Sequence, residues 1–332
     1  MTATRMDEKK LLDIKNLQIR FKTRDGMVQA VNGVSFNLKA GESLGIVGES
    51  GCGKSVSAMS ILKLIPEPPA IIEAEKMDFD GMDITNAKKR EMRKIRGNEI
   101  AMIFQDPMTC LNPVLTIGRQ MGELLELHRR LKGQEVKDES VRLLEQVGIS
   151  AAETRLKAYP HQLSGGMRQR VMIAMAISCN PKILLADEPT TALDVTIQDQ
   201  ITKLMKSLAE KMNMAMILIT HNFGAVAGNT DRLIVMYAGE IVESGKTLEV
   251  FHNSKHPYTT ALLKSIPSVT EKEQHRLYAI PGTLPNPLNL PPGCNFLPRC
   301  EFAFEKCLEH NPVLEEVGEE PGHFVSCWRS QE

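Results

Sequence analysis

The chain contains a glycine-rich loop that ends in lysine and serine, residue types that suggest phosphate binding. Residues 48–55 read Gly-Glu-Ser-Gly-Cys-Gly-Lys-Ser, which fits the pattern G-x-x-x-x-G-K-[ST] in full. The strand predicted before the loop and the helix predicted after it supply the context that this pattern requires. Backbone N–H groups would surround the phosphates of a nucleoside triphosphate, Lys54 would reach the β and γ oxygens, and Ser55 would bind Mg²⁺. The expected nucleotide contacts are Gly48, Glu49, Ser50, Gly51, Cys52, Gly53, Lys54 and Ser55.

A second loop of small residues, Leu163 to Met167, reads Leu-Ser-Gly-Gly-Met and opens a predicted helix. The hydroxyl of Ser164 and the backbone N–H groups of Gly165 and Gly166 would lie at the helix N-terminus. Such a terminus favours phosphate oxygens. The chain therefore has two candidate phosphate sites, and a hypothesis about its function must explain both.

Two acidic residues follow a continuously apolar strand predicted at residues 183–186. Asp187 would hold Mg²⁺ directly or through water. Glu188 is the candidate general base, because phosphate hydrolysis needs a water molecule positioned and polarised for in-line attack. These carboxylates and the glycine-rich loop together predict a nucleoside triphosphate hydrolase.

The composition is that of a globular protein with no excess charge. The 332 residues are 42% hydrophobic and 24% charged, and the net charge is −1, which gives no reason to expect nucleic acid as a partner. Residues 1–10 lack the apolar segment of a signal peptide, and apolar runs such as 214–219 are too short to span a bilayer. We therefore expect a cytosolic chain that reaches a membrane only through a partner.

The elements that must position these residues alternate between strands and helices, which predicts an α/β fold. Residues 11–21 and 28–38 are expected to form a hairpin, residues 71–104 read as strand-rich, and residues 114–178 as a helical insert. Further strands are predicted at 43–47, 100–104, 183–186 and 215–220, a closing pair of strands at 233–244, and further helices at 57–64 and 196–211. The texture changes after residue 252, where prolines and cysteines indicate an appended, loop-rich module.

Four of the seven cysteines crowd into the last part of the chain. In a reducing cytosol such a group suggests a metal rather than disulfides. No pair has the C-x₂-C spacing of typical zinc ribbons, and four thiolates suit either a [4Fe–4S] cluster or zinc. A cluster, a zinc ion and no metal are therefore all open at this stage. The candidate ligands are Cys294, Cys300, Cys307 and Cys327.

The order of these motifs resembles the ATP-binding subunits of ABC transporters across residues 11 to about 250. Gln105 resembles the Q-loop glutamine, which would ligate Mg²⁺ and touch water. His221 resembles the switch histidine, which would contact the γ-phosphate, and it is followed by asparagine where aspartate is common. Asp194 resembles the D-loop aspartate, and Phe21 lies where the family places an aromatic ring under adenine.

The resemblance assigns the two phosphate sites to two different nucleotides. Leu163 to Met167 resembles the signature loop, which covers the ATP held by a second ATPase subunit, so this chain alone should be a poor ATPase. The resemblance further implies two integral-membrane permease subunits, contacted through the helical insert, and indirectly an external substrate-binding protein. The implied cofactors are ATP and Mg²⁺, and the implied location is the inner face of the cell membrane, as a peripheral protein.

Several strings resemble the oligopeptide/dipeptide permease branch more closely. They are residues 104–113, 159–162 and 256–259, and the prolines and cysteines beyond them fit the same branch. Some members of this branch carry a [4Fe–4S] cluster, and the four cysteines match its pattern. The resemblance thus implies import of dipeptides or oligopeptides and a cluster with a structural role.

Other functions stay open on the sequence. Related chains serve nickel or another small solute, and other ABC ATPases are soluble proteins without a transport role. A third alternative is an iron–sulfur sensor that uses ATP as a switch. The second ATPase is expected to be a related but distinct chain, although a homodimer is also possible.

The expected fold is an ABC-type P-loop NTPase core with an antiparallel β subdomain, a helical insert and a loop-rich, metal-binding C-terminal appendage. The predicted domain division consists of a flexible N-terminus at 1–10, an ATPase domain at 11–252 with a helical subdomain at about 107–178, and a C-terminal region at 253–332 with the four-cysteine site.

Overall fold

The structure is a computed structural model that describes residues 10–106, 110–191, 193–266, 279–318 and 321–331. Within them the chain divides into two compact units, and each is described by itself below. The first unit consists of Met1–Leu38, Leu44–Asn86 and Thr220–Glu332, and the second of Lys39–Ser43 and Ala87–Ile219. The predicted flexible N-terminus lies almost wholly outside the described residues.

The strands and helices are numbered in chain order. The strands are β1 (Lys10–Lys22), β2 (Met27–Lys39), β3 (Ser43–Val47), β4 (Ala70–Glu73), β5 (Lys76–Phe79), β6 (Met82–Asp83), β7 (Ile100–Ile103), β8 (Ile183–Asp187), β9 (Ala215–Thr220), β10 (Arg232–Tyr237), β11 (Glu240–Lys246), β12 (Glu315–Glu316) and β13 (Phe324–Val325). The helices are α1 (Lys54–Ile61), α2 (Lys89–Ile95), α3 (Ile117–Leu124), α4 (Gln134–Gln146), α5 (Ala152–Arg155), α6 (Gly165–Ile177), α7 (Val195–Met212), α8 (Phe223–Val226), α9 (Thr247–His252), α10 (Pro257–Lys264), α11 (Glu305–Glu309) and α12 (Trp328–Gln331).

The first unit contains an antiparallel sheet in the order β2-β1-β5-β6, with β4 also paired to β1. β1 and β2 form the predicted hairpin, and its turn is closed by a hydrogen bond from the Thr23 N–H to the Gly26 carbonyl at 2.9 Å. Residues 11–14 of β1 are all buried, and farther along the strand the buried Leu17 and Ile19 alternate with less buried residues, as expected where one face lies on a core. The sequence therefore predicted this part of the fold correctly.

The same unit contains the strand that leads into the phosphate loop. β3 is buried along its whole length and pairs in parallel with β10, which pairs in antiparallel fashion with β11. β13 pairs with β11, and β12 with β13. The segment after residue 252 is thus not only loops, since it includes α10 and supplies two short strands to the sheet that contains β3.

The second unit contains the parallel strands β7, β8 and β9. Their register places Ile103 opposite Ala186 and Asp187 opposite Ile219. Helices α3 to α6 form the expected helical insert, together with a π-helical turn at Leu125–Arg129 and a 3₁₀ turn at Pro160–Gln162. The three strands are buried, which explains their continuously apolar sequences.

Two expectations were incomplete with respect to helices. Residues 71–104 are strand-rich as predicted, since they include β5, β6, β7 and most of β4, but they also contain the unpredicted α2, whose buried residues Met92 and Ile95 lie three apart on one face. Helix α1 begins at Lys54 rather than at residue 57, and it ends at Ile61 rather than at residue 64. In the part of the chain that the structure describes, no helix combines the length and apolar character needed to cross a membrane.

Candidate functional site

The glycines of the loop after β3 are required by close backbone contacts. Gly48 and Gly53 have φ angles of 152° and 102°, which a residue with a side chain rarely adopts. A Cβ on Gly48 would lie 2.2 Å from the Met236 carbonyl oxygen, and one on Gly53 would lie 2.5 Å from the Ala30 carbonyl oxygen. The first unit therefore fixes the path of this loop by packing its bare backbone against two neighbouring carbonyls.

Lys54 is folded back across the loop that it ends. Its side chain is buried, and its Nζ donates hydrogen bonds to the carbonyls of Gly48 at 2.7 Å and Glu49 at 2.9 Å. Lys54 is also the first residue of α1, whose first turn contains no acidic residue. A fixed cation beside the N-terminus of a helix suits a phosphate group.

Cys52 is the fully buried residue of the loop. Burial raises the pKa of its thiol, and its Sγ lies 3.8 Å from the Lys54 Nζ. The thiol thus packs inside the loop as a neutral group. Of the nucleotide contacts expected at Cys52, only those made through its backbone are compatible with this burial.

Phe21 and His221 also belong to the first unit. Phe21 lies near the end of β1, opposite Ala70 of β4, and is half-buried. His221 is exposed directly after β9. Asn222 accepts a hydrogen bond from the Gly224 N–H at 2.9 Å and so caps α8, which accounts for the asparagine there. The contacts of Phe21 with adenine and of His221 with the γ-phosphate stay predictions.

The two acidic residues lie at the end of β8 in the second unit. Asp187 is the last residue of the strand, and Glu188 follows with a φ angle of 44°, in the left-handed region. Its backbone N–H donates to the Ile219 carbonyl at 2.8 Å. Asp187 and Glu188 are only 5% and 8% exposed, so both carboxylates are held in a largely desolvated position. A non-glycine residue in this conformation is strained, as is common at functional sites.

The Glu188 carboxylate is held by two side chains of the same unit. The Gln105 amide Nε2 and the Thr191 hydroxyl each donate to Glu188 Oε2, both at 2.9 Å. The structure thus brings together Gln105 and Glu188, which the sequence had predicted separately. Thr191 was not predicted, although a hydroxyl three residues after an acid in a turn is a usable signal.

The second glycine loop opens α6, as expected. Ser164 is exposed, and its hydroxyl accepts a hydrogen bond from the Met167 N–H at 3.3 Å, which makes it the N-cap. Leu163 is buried and anchors the loop. The first turn of α6 carries no acidic residue, and its N-cap Ser164 is exposed. The N-terminus of this helix is therefore open to a phosphate group in solvent.

Leu193, which belongs with Asp194 to the predicted D-loop at residues 192–194, lies beside this second loop. The Asp194 carboxylate accepts a hydrogen bond from the Ile197 N–H at 3.0 Å and caps α7. A Cβ at Gly165 would lie 3.4 Å from Leu193 Cδ2, and one at Gly166 would lie 3.3 Å from Ile197 Cγ2. Ala192 lies outside the described residues. The roles of Asp194 and of the loop toward a nucleotide stay predictions.

The four C-terminal cysteines line one cavity in the first unit. The cavity is small, about 20 Å³, and aromatic side chains form much of its wall. The pKa of the Cys294 thiol is raised to about 11, chiefly by burial and to a smaller extent by the other three thiols. Its lining includes Cys294, Cys300, Cys307, Cys327, Phe296, Phe302, Phe304 and Trp328.

This arrangement does not reproduce a site for a single ion. Among residues 10–106, 110–191, 193–266, 279–318 and 321–331, no three His, Cys, Asp or Glu side chains converge closely enough to hold one. The metal-binding part of the predicted appendage is therefore not supported by ligand convergence, and zinc gains no support.

Two residues of the C-terminal region contact the phosphate loop, and the sequence had given no sign of either contact. The Tyr258 hydroxyl accepts a hydrogen bond from the Glu49 N–H at 3.0 Å, and Arg299 forms an ion pair with the Glu49 carboxylate. These partners are 209 and 250 positions apart in the chain. Such separations explain why the contacts are invisible to an analysis of local motifs.

Two family models match this chain, one over the part that contains the phosphate loop and one over the C-terminal region. Residues 31–191 match the family model described as ABC transporter. Residues 242–307 match the model described as oligopeptide/dipeptide transporter, C-terminal region. The second match includes α10 and three of the four clustered cysteines.

Curated relatives extend the similarity over nearly the whole chain. The oligopeptide transport ATP-binding protein OppD of Haemophilus influenzae is 49% identical over 97% of this chain and 98% of its own length. The protein of the same name from Bacillus subtilis is 49% identical over 96% of this chain and 88% of its own. Among solved structures, the dimeric ATP-binding cassette MJ0796 with ADP and phosphate matches 71% of this chain and 98% of its own at 30% identity, with a TM-score of 0.63.

Proposed function

The chain belongs to the ATP-binding proteins of ABC transporters, in the oligopeptide/dipeptide branch, and from this premise we propose that it hydrolyses Mg²⁺-ATP to drive peptide import through a membrane permease. The observation that carries the proposal is the phosphate loop, whose bare backbone and inward-folded Lys54 are suited to bind a triphosphate. The match of the C-terminal region supports peptides as the cargo.

Binding of the nucleotide uses residues with distinct tasks. Lys54 exchanges its hydrogen bonds with loop carbonyls for the β and γ oxygens of ATP. Ser55, Asp187 and Gln105 would supply the oxygen atoms that hold Mg²⁺. Phe21 would support the adenine ring. A bound Mg²⁺ would supply positive charge against the phosphates, while these residues fix the orientation of the nucleotide.

Hydrolysis uses the side chains at the ends of β8 and β9. Glu188 accepts a proton from water as the water oxygen attacks the γ-phosphorus, and the bond to the β-phosphate oxygen breaks to release ADP. His221 donates a hydrogen bond to the γ-phosphate. In the structure the Glu188 carboxylate is bound to Gln105 and Thr191, so it is oriented before ATP arrives.

Efficient turnover needs a second ATPase subunit. The exposed Ser164 and the N-terminus of α6 supply a phosphate site that covers the ATP of the partner, and the partner's equivalent loop covers the ATP held at Lys54. The partner is a related but distinct chain. The helical insert contacts two integral-membrane permease subunits on the inner face of the membrane, and a binding protein on the other side delivers the peptide.

The four clustered cysteines hold a [4Fe–4S] cluster in this proposal. The support is the donor set itself, together with the aromatic surrounding that excludes water. Three of the four thiols lie on irregular segments. A bound cluster would cross-link these segments to α11, which carries Cys307. Analysis of anaerobically purified protein should find iron and acid-labile sulfide, and stoichiometric zinc without sulfide would refute it.

The decisive assay for the cargo is uptake by vesicles that contain the two permeases, both ATPase subunits and the external binding protein. We expect ATP-dependent uptake of labelled dipeptides or oligopeptides, and its loss in Lys54→Ala. Lys203→Ala is a matched control, because Lys203 is an exposed lysine on α7 whose Nζ lies 2.7 Å from Asp199 Oδ2 on the same helix. Uptake of nickel or another solute in place of peptide would contradict the cargo assignment, and full uptake with Lys54→Ala would contradict the ATPase.

A further inference from the structure

A bidentate ion pair joins the phosphate loop to the C-terminal region. Arg299 Nη1 lies 2.6 Å from Glu49 Oε2, and Arg299 Nη2 lies 2.9 Å from Glu49 Oε1. The Arg299 side chain is only 3% exposed and that of Glu49 is 30% exposed. A guanidinium that binds both oxygens of a carboxylate fixes direction as well as distance.

The guanidinium is itself fixed by the region that carries it. Arg299 Nε donates to the Pro281 carbonyl at 2.9 Å, and Nη1 lies 3.5 Å from the Tyr237 hydroxyl. The hydrogen bonds with Glu49 are the main cause of the strongly raised pKa of Arg299, so the group is always charged. The Arg299 guanidinium is therefore hydrogen-bonded both to Glu49 and to its own region of the chain, unlike an isolated ion pair on the surface.

A second contact holds the backbone of the same loop residue. The Glu49 N–H donates to the Tyr258 hydroxyl at 3.0 Å. Tyr258 is fully buried, with its ring centroid 4.6 Å from that of Tyr237 and 5.4 Å from that of Phe296. Both the carboxylate and the N–H of Glu49 are thus bound to residues that lie outside the nucleotide motif.

We propose that Arg299 is a positioning residue for the phosphate loop, and that through Glu49 it couples ATP binding to the C-terminal thiol region. Arg299 precedes Cys300 and ends a 3₁₀ turn, so a shift of the thiol-bearing backbone moves the guanidinium directly. Removal of one partner leaves an uncompensated, partly buried charge that distorts the loop. The inference rests on the proposed function only in taking ATP as the ligand of the loop.

The test compares the affinity of the purified chain for a fluorescent ATP analogue in Arg299→Met, Glu49→Gln and the double variant. We expect each single change to weaken binding about tenfold, within the range of ordinary coupling between sites. The double variant should be no weaker than either single one, because both remove the same interaction. Arg142→Met is the matched control and should leave affinity unchanged, since Arg142 also binds both oxygens of a carboxylate, that of Glu139 at 2.7 and 2.8 Å, but lies in α4 of the helical insert.

The outcomes separate this inference from the proposed function. Failure of the wild-type chain to bind the analogue would overturn the proposed function. Normal binding by the wild type and by both single variants would overturn only the inference. If Arg299→Met does not fold, Glu49→Gln carries the test alone, since it keeps the shape of the side chain and removes its charge.

Coupling must also operate in the opposite direction, because linkage is reciprocal. We expect ATP to slow amide hydrogen exchange in residues 297–300 of the wild type and to have no such effect in Arg299→Met. A role of Arg299 in stability alone would raise exchange in the variant but would leave the protection by ATP intact. Equal protection by ATP in both proteins would therefore contradict the coupling.

Discussion

Replacing Thr191 with valine removes one hydroxyl from the carboxylate assigned as general base, at nearly constant volume. The Thr191 hydroxyl lies 2.9 Å from Glu188 Oε2, and the Gln105 amide contacts the same oxygen at 2.9 Å. A hydrogen bond to a charged group contributes about 1.5–3 kcal/mol. Because Gln105 still holds the carboxylate after the change, we take the lower end, which corresponds to a roughly tenfold lower kcat.

The assay is steady-state ATP hydrolysis by the assembled transporter, with single-turnover measurements to isolate the chemical step. The KM for ATP should stay unchanged, because Thr191 is not among the residues expected to contact the nucleotide. Thr191→Ser is the matched control and should retain kcat within about twofold, because it keeps the hydroxyl. A kcat for Thr191→Val equal to or above that of the wild type would refute the reasoning that this contact orients the base.

Two further predictions concern assembly and pH. Ser164→Arg places a bulky cation at the exposed N-terminus of α6. We expect ATP hydrolysis at the partner's site to fall, while a filter-binding assay shows normal ATP binding at this chain's own phosphate loop. Equal loss of hydrolysis and of binding would contradict the assignment of Ser164 to the partner's nucleotide. Burial lowers the pKa of His256 to about 4, so between pH 6.5 and 4 the unfolded state binds more protons and stability falls as pH is lowered. His256→Asn keeps a side-chain acceptor for the Tyr258 N–H and should make the decline in Tm over this window shallower, and an unchanged slope would exclude His256 as its source.

The nucleotide loop could be predicted in detail because its chemistry dictates its sequence. Gly48 and Gly53 must be glycine for the backbone to approach two carbonyls, and Lys54 must follow them. Asp187 was placed correctly because a buried parallel strand is apolar throughout and its end is marked by the first acid. These are local rules, and each can be seen in a short stretch of sequence.

Features that depend on distant or weak signals were missed. Helix α2 has the charged sequence KREMRKI, so only Met92 and Ile95 indicate its buried face. The Arg299–Glu49 pair joins segments whose separation in the chain is decided by the fold as a whole. The sequence likewise could not show that residues after 252 add strands to the sheet, because β12 and β13 have only two residues each.

The cysteine group lies between these cases. Its composition predicted that the four thiols come together, and they do line one cavity. Spacing alone could not predict the ligand geometry, because the segments that carry Cys294, Cys300 and Cys327 are irregular and have no repeat that fixes direction.

The central claim is that this chain hydrolyses ATP with Glu188 as the base, and Glu188→Gln tests it most directly. The amide keeps the size of the side chain but cannot accept the proton of the attacking water. A single-turnover measurement with γ-labelled ATP should show binding close to that of the wild type and hydrolysis slowed by about 10² to 10⁴-fold. Turnover near that of the wild type would contradict the assignment of Glu188 and, with it, the mechanism derived from the end of β8.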